Sequence, residues 1–236
     1  ELDCGMIVAL MVTKNEAGRY LESSLNHIIN MVDKVVVYDD RSTDDTAKIA
    51  SQFGKVVVRP KDSPSFLTDE SKFREAAWDC LNGVASLGDG IISLDADEFY
   101  IGDVNFESQL DYCKSNDIHS LTYKCLEVFS CVGNKPMVRV DGFWNDIWVK
   151  RFGVYQGPGE WAKKGMASGS LPSYCSGKTV WPDTSLLHMG YATAEDRQKK
   201  YDRYMSTKHN HNSNHIASII SKPKLEYIKD WTEKKL

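Results

Sequence analysis

Met6-Ile7-Val8-Ala9-Leu10-Met11-Val12 is an unbroken apolar run of strand length, and Thr13-Lys14-Asn15-Glu16 follows it at once. A run with no polar alternation suits a strand covered on both faces, the condition of strands in parallel sheets. The spacing of Leu21, Leu25, Ile28, Ile29 and Val32 predicts a helix from about Ala17. A second strand is expected over Lys34–Tyr38. Ser42-Thr43-Asp44-Asp45 then reads as a helix start, its oxygens placed to cap free N–H groups. A third strand is expected over Lys55–Arg59, a loop over Pro60–Thr68, a helix from Asp69 to Val84 and a fourth strand over Gly90–Leu94.

Strand and helix alternate up to residue 94, which predicts a doubly wound α/β sheet flanked by helices. Ligands of such sheets sit beyond the C-terminal strand ends. Those ends carry Thr13 to Glu16, Asp39-Asp40 and Asp95-Ala96-Asp97-Glu98. The second half reads differently, with strands at Ser120–Ser130, Met137–Val140 and Ile147–Phe152 and a long Gly/Ser-rich loop over Gly153–Gly177. A polar helix is expected from Thr193 past Met205, and a last helix over Lys224–Lys235 with Leu225, Ile228 and Trp231 on one side.

Composition narrows the function class. The 236 residues carry a formal charge of −4, against the basic excess usual in nucleic-acid-binding domains, so no nucleic acid is expected as partner. No apolar run reaches the length of a membrane span. Six cysteines without a CxxC pair, in a chain this long, read as reduced thiols of a cytoplasmic protein. Contact of the C-terminal helix with a membrane surface is the lesser alternative to packing on the domain. The chain opens at Glu1 rather than Met, which fits a piece trimmed from a longer protein.

The chemistry centres on Asp95-Ala96-Asp97. Alternation in extended chain would send both carboxylates to one side, where they repel unless a cation or proton intervenes. Oxygen ligands suit a hard divalent ion, Mn²⁺ or Mg²⁺. A solvated acidic turn is the plain alternative.

Three segments together carry a resemblance. Val12-Thr13-Lys14-Asn15-Glu16, Val36-Val37-Tyr38-Asp39-Asp40-Arg41-Ser42-Thr43-Asp44-Asp45-Thr46 and Leu94-Asp95-Ala96-Asp97-Glu98-Phe99 resemble the signatures of family 2 glycosyltransferases, with Arg41 where that family usually has Gly. The resemblance is strong over residues 5–100. It implies a GT-A type fold, with 1–236 a single catalytic domain: a nucleotide-binding half over 1–100 and an acceptor-side half with C-terminal helices over 101–236. It implies transfer of a sugar from a UDP- or other nucleoside-diphosphate donor to a hydroxyl of a glycan, lipid or protein, with inversion and a divalent metal.

The same resemblance implies roles by position. Thr13 and Glu16 would line the nucleotide pocket, and Asp39 would meet base or ribose. Arg74, or else Lys72, would approach the nucleotide or its phosphates. Asp95 would contact ribose or metal, Asp97 would hold the metal, and His188 would complete its shell or serve only structure. Arg197, Lys199 and Lys200 would meet the diphosphate or form a solvated face. The acceptor base would be Asp146 or Glu160, with Asp183 third; Trp161, beside Glu160, would be placed to stack on a sugar. Asp44 and Asp45 are expected to cap a helix, and His209, His211 and His215 to lie in a polar loop. A non-catalytic sugar- or nucleotide-binding module and a nucleotidyltransferase are the rival readings.

Overall fold

The structure, a computed structural model, describes residues 5–162, 168–206 and 213–228. Strand β1 (Ile7–Thr13) is buried along its whole length. It pairs in parallel with β2 (Lys34–Asp39) on one side and β4 (Gly90–Asp95) on the other, and β3 (Lys55–Val58) extends the sheet beyond β2. Helices α1 (Leu21–Ile28), α2 (Thr46–Ala50) and α3 (Glu70–Asp79) make the connections.

The apolar run of β1 divides by parity. Ile7, Ala9 and Met11 join a core with Leu21, Leu25 and Ile28 of α1, whereas Val8, Leu10 and Val12 join a second core with Phe73, Ala77 and Trp78 of α3. Each face of the sheet therefore has its own hydrophobic layer, the physical content of the predicted double winding.

After Asp95 the chain departs from the expected extended course. Ala96 and Asp97 form a tight turn into β5 (Glu98–Gly102), which leaves β4 and pairs antiparallel with β9 (Thr179–His188). Helix α4 (Phe106–Ser115) follows, capped by the Asn105 side chain on the Ser108 amide at 2.9 Å. Its Phe106, Leu110 and Cys113 join the α1-side core.

Strand β6 (Ser120–Val132) is the spine of the second half. It pairs antiparallel with β7 (Lys135–Arg139) and β8 (Ile147–Val154) and in parallel with β9. Strand β8 in turn pairs antiparallel with β4, which makes the sheet mixed and continuous, in the order β10-β7-β6-β8-β4-β1-β2-β3 with β10 being Leu225–Tyr227.

Several expectations are corrected here. The helix from Asp69 stops at Asp79, and turns carry the chain on to Val84 through Gly83 at φ +74°. The helix expected over Lys224–Lys235 begins instead as β10 (Leu225–Tyr227), antiparallel to β7. The exposed edge of β7 offers unpaired backbone groups, and satisfying them outweighs a weak helical pattern. Residues 229–236, with Trp231, lie outside the described residues. Ser213–Ile219 form a helix, α6, where a polar loop was expected; Ile216 and Ile219 bury its apolar side. Its His215 ring packs against Phe143 and Trp144, while His209 and His211 lie outside the described residues. Helix α5 (Ala194–Ser206) is as expected.

The Gly/Ser-rich segment after β8 has no helix or strand in its described part. It is part of the core rather than an open loop: Tyr155, Trp161, Leu171 and Cys175 pack with α3. Trp161 is 2% exposed and donates to the Gly169 carbonyl at 2.9 Å, so it is not available to stack on a sugar. Five cysteines, Cys80, Cys113, Cys125, Cys131 and Cys175, are free thiols. Among the described residues no helix is long and apolar enough to cross a membrane.

Candidate active site at the C-terminal ends of the parallel strands

The loop after β1 and the loop after β2 are laced together. The Asn15 amide donates to Ser42 Oγ, the Thr43 amide donates to Asn15 Oδ1, and Thr46 Oγ1 accepts from the amides of Glu16 and Ala17, all at 2.8–3.0 Å. Asp44 accepts from the Thr46 and Ala17 amides, a purely structural task. Arg41 sits at φ +57°, a conformation glycine adopts without cost. This lacing fixes the loop that carries Glu16 into the wall of a cavity of about 360 Å³.

Thr13, Glu16, Asp95, Asp97 and His188 all line that cavity, together with Lys14, Arg19, Asp40, Phe66, Asp196, Lys199, Lys200 and Arg203. The structure thus brings together residues 175 positions apart, because the β5–β9 ladder sets Glu98 opposite His188 and the Met189 amide donates to the Asp97 carbonyl at 2.9 Å. Two buried atoms of this set have no protein partner: Thr13 Oγ1 and Glu16 Oε2. Burial pushes the Glu16 carboxyl up to about 7; Arg19 partly opposes it, and the negative charges of Asp97 and Asp196 add to the rise. A polar atom so placed is an acceptor waiting for a donor.

Asp95 stands between two buried guanidiniums. Arg74 Nη2 donates to Oδ1 at 3.2 Å and Arg151 Nη2 to Oδ2 at 3.4 Å. Arg151 is also paired with Glu98, whose other oxygen accepts from the Asp95 amide at 2.9 Å. Burial alone would raise the Asp95 carboxyl, but Arg74 and Arg151 outweigh it and hold it below the usual range. Arg74, rather than the exposed Lys72 paired with Glu75, is the basic residue of this helix that reaches the strand end. Its Nη1 is buried without a hydrogen-bond partner.

Asp97 and His188 face each other, with Oδ2 3.4 Å from Nε2. The opposite ring nitrogen, Nδ1, lies 2.6 Å from Glu127 Oε2. Burial opposes a charged His188 ring, yet Glu127 and Asp97 overcome both it and Lys200 and raise the ring to about 10. Asp97 is held well below the ordinary carboxylate range, His188 outweighing burial. Gly190 is required beside them: a β-carbon there would stand closer than 3.0 Å to His188 Nε2, Asp97 Oδ2 and Lys200 Nζ at once.

Other expected residues lie apart. Asp39 is 1% exposed and holds the amide and hydroxyl of Ser42, while its neighbour Asp40 forms the cavity wall, paired with Arg59 and Lys14. Asp146 and Glu160 are exposed and off the cavity wall; Asp146 accepts from Trp148 Nε1. Asp183 sits in the middle of β9, five residues before His188, where its carbonyl accepts from the Asp103 amide. Arg197 turns away from the cavity to donate to the carbonyls of Phe129 and Tyr191, at 2.6 and 2.8 Å. Asp40, Glu98, Glu127 and Arg151 were missed. Only Asp40 and Glu98 had a sequence signal, their place at strand ends; Glu127 and Arg151 lie on strands whose pairing brings them here.

Residues 8–169, more than half of the chain, match the pattern of Glycosyl transferase family 2. An uncharacterized glycosyltransferase of Rickettsia felis is 35% identical over 119 residues, which are 50% of this chain and 38% of that protein. One of Rickettsia bellii is 34% identical over 125 residues, 52% and 38% of the two chains. The chain therefore spans well under half the length of these relatives. Among solved structures, glucosyl-3-phosphoglycerate synthase of Mycobacterium tuberculosis is 21% identical over 52% of this chain and 44% of its own, with a TM-score of 0.36. Mannosyl-3-phosphoglycerate synthase of Rubrobacter xylanophilus is 15% identical over 52% and 40%, with a TM-score of 0.39. With the family pattern covering more than half of the chain, including the strand-end residues Thr13 to Asp97 that line the cavity, the chain belongs to glycosyl transferase family 2.

Proposed function

We propose that this chain is the catalytic domain of a divalent-cation-dependent glycosyltransferase that moves a sugar from a nucleoside-diphosphate donor to a hydroxyl acceptor with inversion. The observation that carries the reading is the convergence of Asp95, Asp97 and His188 on one cavity whose wall also holds two orphaned acceptors and a row of cationic side chains.

Thr13 Oγ1 and Glu16 Oε2 are free to accept from hydroxyl or N–H donors of a nucleoside. Lys14, Arg19, Lys200 and Arg203 set positive charge around the space for a diphosphate. Asp97 Oδ2 and His188 Nε2 form a mixed oxygen–nitrogen donor set that fits Mn²⁺ better than Mg²⁺. The ion, when bound, supplies charge stabilisation to the leaving nucleoside diphosphate. Asp95, neutralised by Arg74 and Arg151, serves more naturally as an oriented acceptor toward the nucleotide than as the principal ligand. Glu127 holds the His188 ring by Nδ1 and so directs Nε2 at the cavity, the usual support of a metal-binding histidine. Asp146 or Glu160 would reach this cavity only by movement of its segment, and Asp146 would also have to leave Trp148.

The test compares wild type with Asp97→Asn. Mn²⁺-dependent hydrolysis or transfer from a panel of nucleotide-sugars is expected to fall on the order of a hundredfold or more, as for loss of other preorganised charge-stabilising groups. Activity that survives the substitution overturns the reading. Tight donor binding without turnover would instead support a binding module.

A further inference from the structure

Three groups from separate places in the chain meet beside Gly190. His188 comes from β9, Asp97 from the turn after β4, and Lys200 from the second turn of α5. Lys200 Nζ lies 3.2 Å from His188 Nε2 and 4.1 Å from the centroid of the Tyr191 ring. The ring beneath it and the missing side chain at position 190 let the ammonium lie against His188 Nε2, in the space that the Asp97 carboxylate also borders.

This is where a divalent ion bound by Asp97 and His188 would have to sit. An ammonium is a compact point charge with donors on every side, the nearest thing to a metal ion among side chains. Its neighbour Lys199 is engaged one turn back with Glu195 at 2.6 Å and does not compete for the place. Other charges around the position are Glu16 and Asp196, both tied to Arg19, Asp95 between its two arginines, Arg203 on the cavity wall and Glu127 behind the histidine ring.

We propose that Lys200 is a tethered resident cation of this seat: with His188 it holds positive charge beside Asp97 until a divalent ion enters, and the ion displaces it toward the donor's diphosphate. The inference rests on the assignment of Asp97 and His188 as the ion-binding pair. Displacement costs work, so the intrinsic affinity of the seat for the ion is partly hidden. Once displaced, the ammonium remains in a cavity shared with Arg203 and Arg19, where phosphate oxygens are its strongest partners. Removing the charge at position 200 therefore has effects of opposite sign on two ligands. A lysine with only a structural role would not do this.

The experiment titrates the full chain with Mn²⁺, following the free-ion EPR signal, and then titrates the Mn²⁺-loaded protein with UDP. Lys200→Met is expected to bind Mn²⁺ about tenfold tighter than wild type and UDP about tenfold more weakly, at the scale of removing one near, partly screened charge. Thermal melting checks that the variant is folded. If it is not, Lys200→Gln, which keeps polarity and loses charge, must show the same pair of shifts. Unchanged or weaker Mn²⁺ binding in a folded variant overturns the inference. An Asp97→Asn control separates the two failures. If it leaves Mn²⁺ binding intact, the ion is not held at this seat and the assignment of the site falls. If it abolishes binding while the Lys200 variants match wild type, only the role of Lys200 falls.

Discussion

The two halves of the molecule reach the same cavity by different routes. In residues 5–95 the strand ends deliver directly: Thr13 closes β1, Asp40 follows β2 and Asp95 closes β4, with β2 and β4 both parallel to the central β1. The contributions of the later residues depend on long-range antiparallel ladders. Arg151 reaches Asp95 because β8 pairs with β4, and His188 reaches Asp97 because β9 pairs with β5. The first half carries the site as a local consequence of its topology, and the second half carries it as a consequence of register.

Breaking the link between the halves should have the largest effect. Arg151 is buried and paired with both Glu98 and Asp95. Arg151→Met leaves Glu98 without its partner and Asp95 with Arg74 alone, and is expected to cost about 3–5 kcal/mol in urea unfolding, the range for breaking a buried ion pair from one side. A loss under about 1 kcal/mol would mean that the halves are joined elsewhere.

A smaller effect sharpens the comparison within the second half. Glu127 touches the cavity only through the His188 ring. Glu127→Gln should weaken Mn²⁺ binding about 10–100-fold, measured by calorimetry, while leaving the melting temperature close to wild type. Unaltered Mn²⁺ affinity would remove Glu127 from the site.

The smallest effect concerns the far edge of the sheet. Hydrogen bonds from Arg139 lower the Asp141 carboxyl to about 2, from an unfolded value near 3.8. A depressed carboxylate stabilises the fold above its unfolded value, and that contribution is lost as pH falls from 3.8 toward 2. Because the side chain is 36% exposed, screening cuts the contribution to a few tenths of a kcal/mol. Asp141→Asn should flatten that part of the acid limb in chemical denaturation. An unchanged limb would show that the pair contributes nothing.

The same division explains what was legible in the sequence. Parallel strands buried on both faces announce themselves as apolar runs, so β1, β2, β3 and β4 stood close to their expected bounds. Asp97 and His188 were singled out because their type and setting resemble a family pattern, and the structure sets them face to face. Glu127 and Arg151 alternate with ordinary strand residues, and nothing local marks them; only the pairing of β6 with β9 and of β8 with β4 gives them a task. Helix α4 did leave a signal that went unread: Asn105 as cap, then Phe106, Leu110 and Cys113 at helical spacing. The error over Leu225–Tyr227 was of another kind. A three-residue segment took the conformation its neighbour's edge required.

The absent side chain at position 190 can be read in other sequences. Any substituent there would fill the space between an imidazole, a carboxylate and an ammonium. A relative with alanine or a larger residue at the matching position must have rearranged at least two of these groups. On the function proposed above, such a relative would offset the charge of the departing diphosphate by other means. Glycine at this one place is thus a marker for sorting relatives by how they handle that charge, legible without a structure of each.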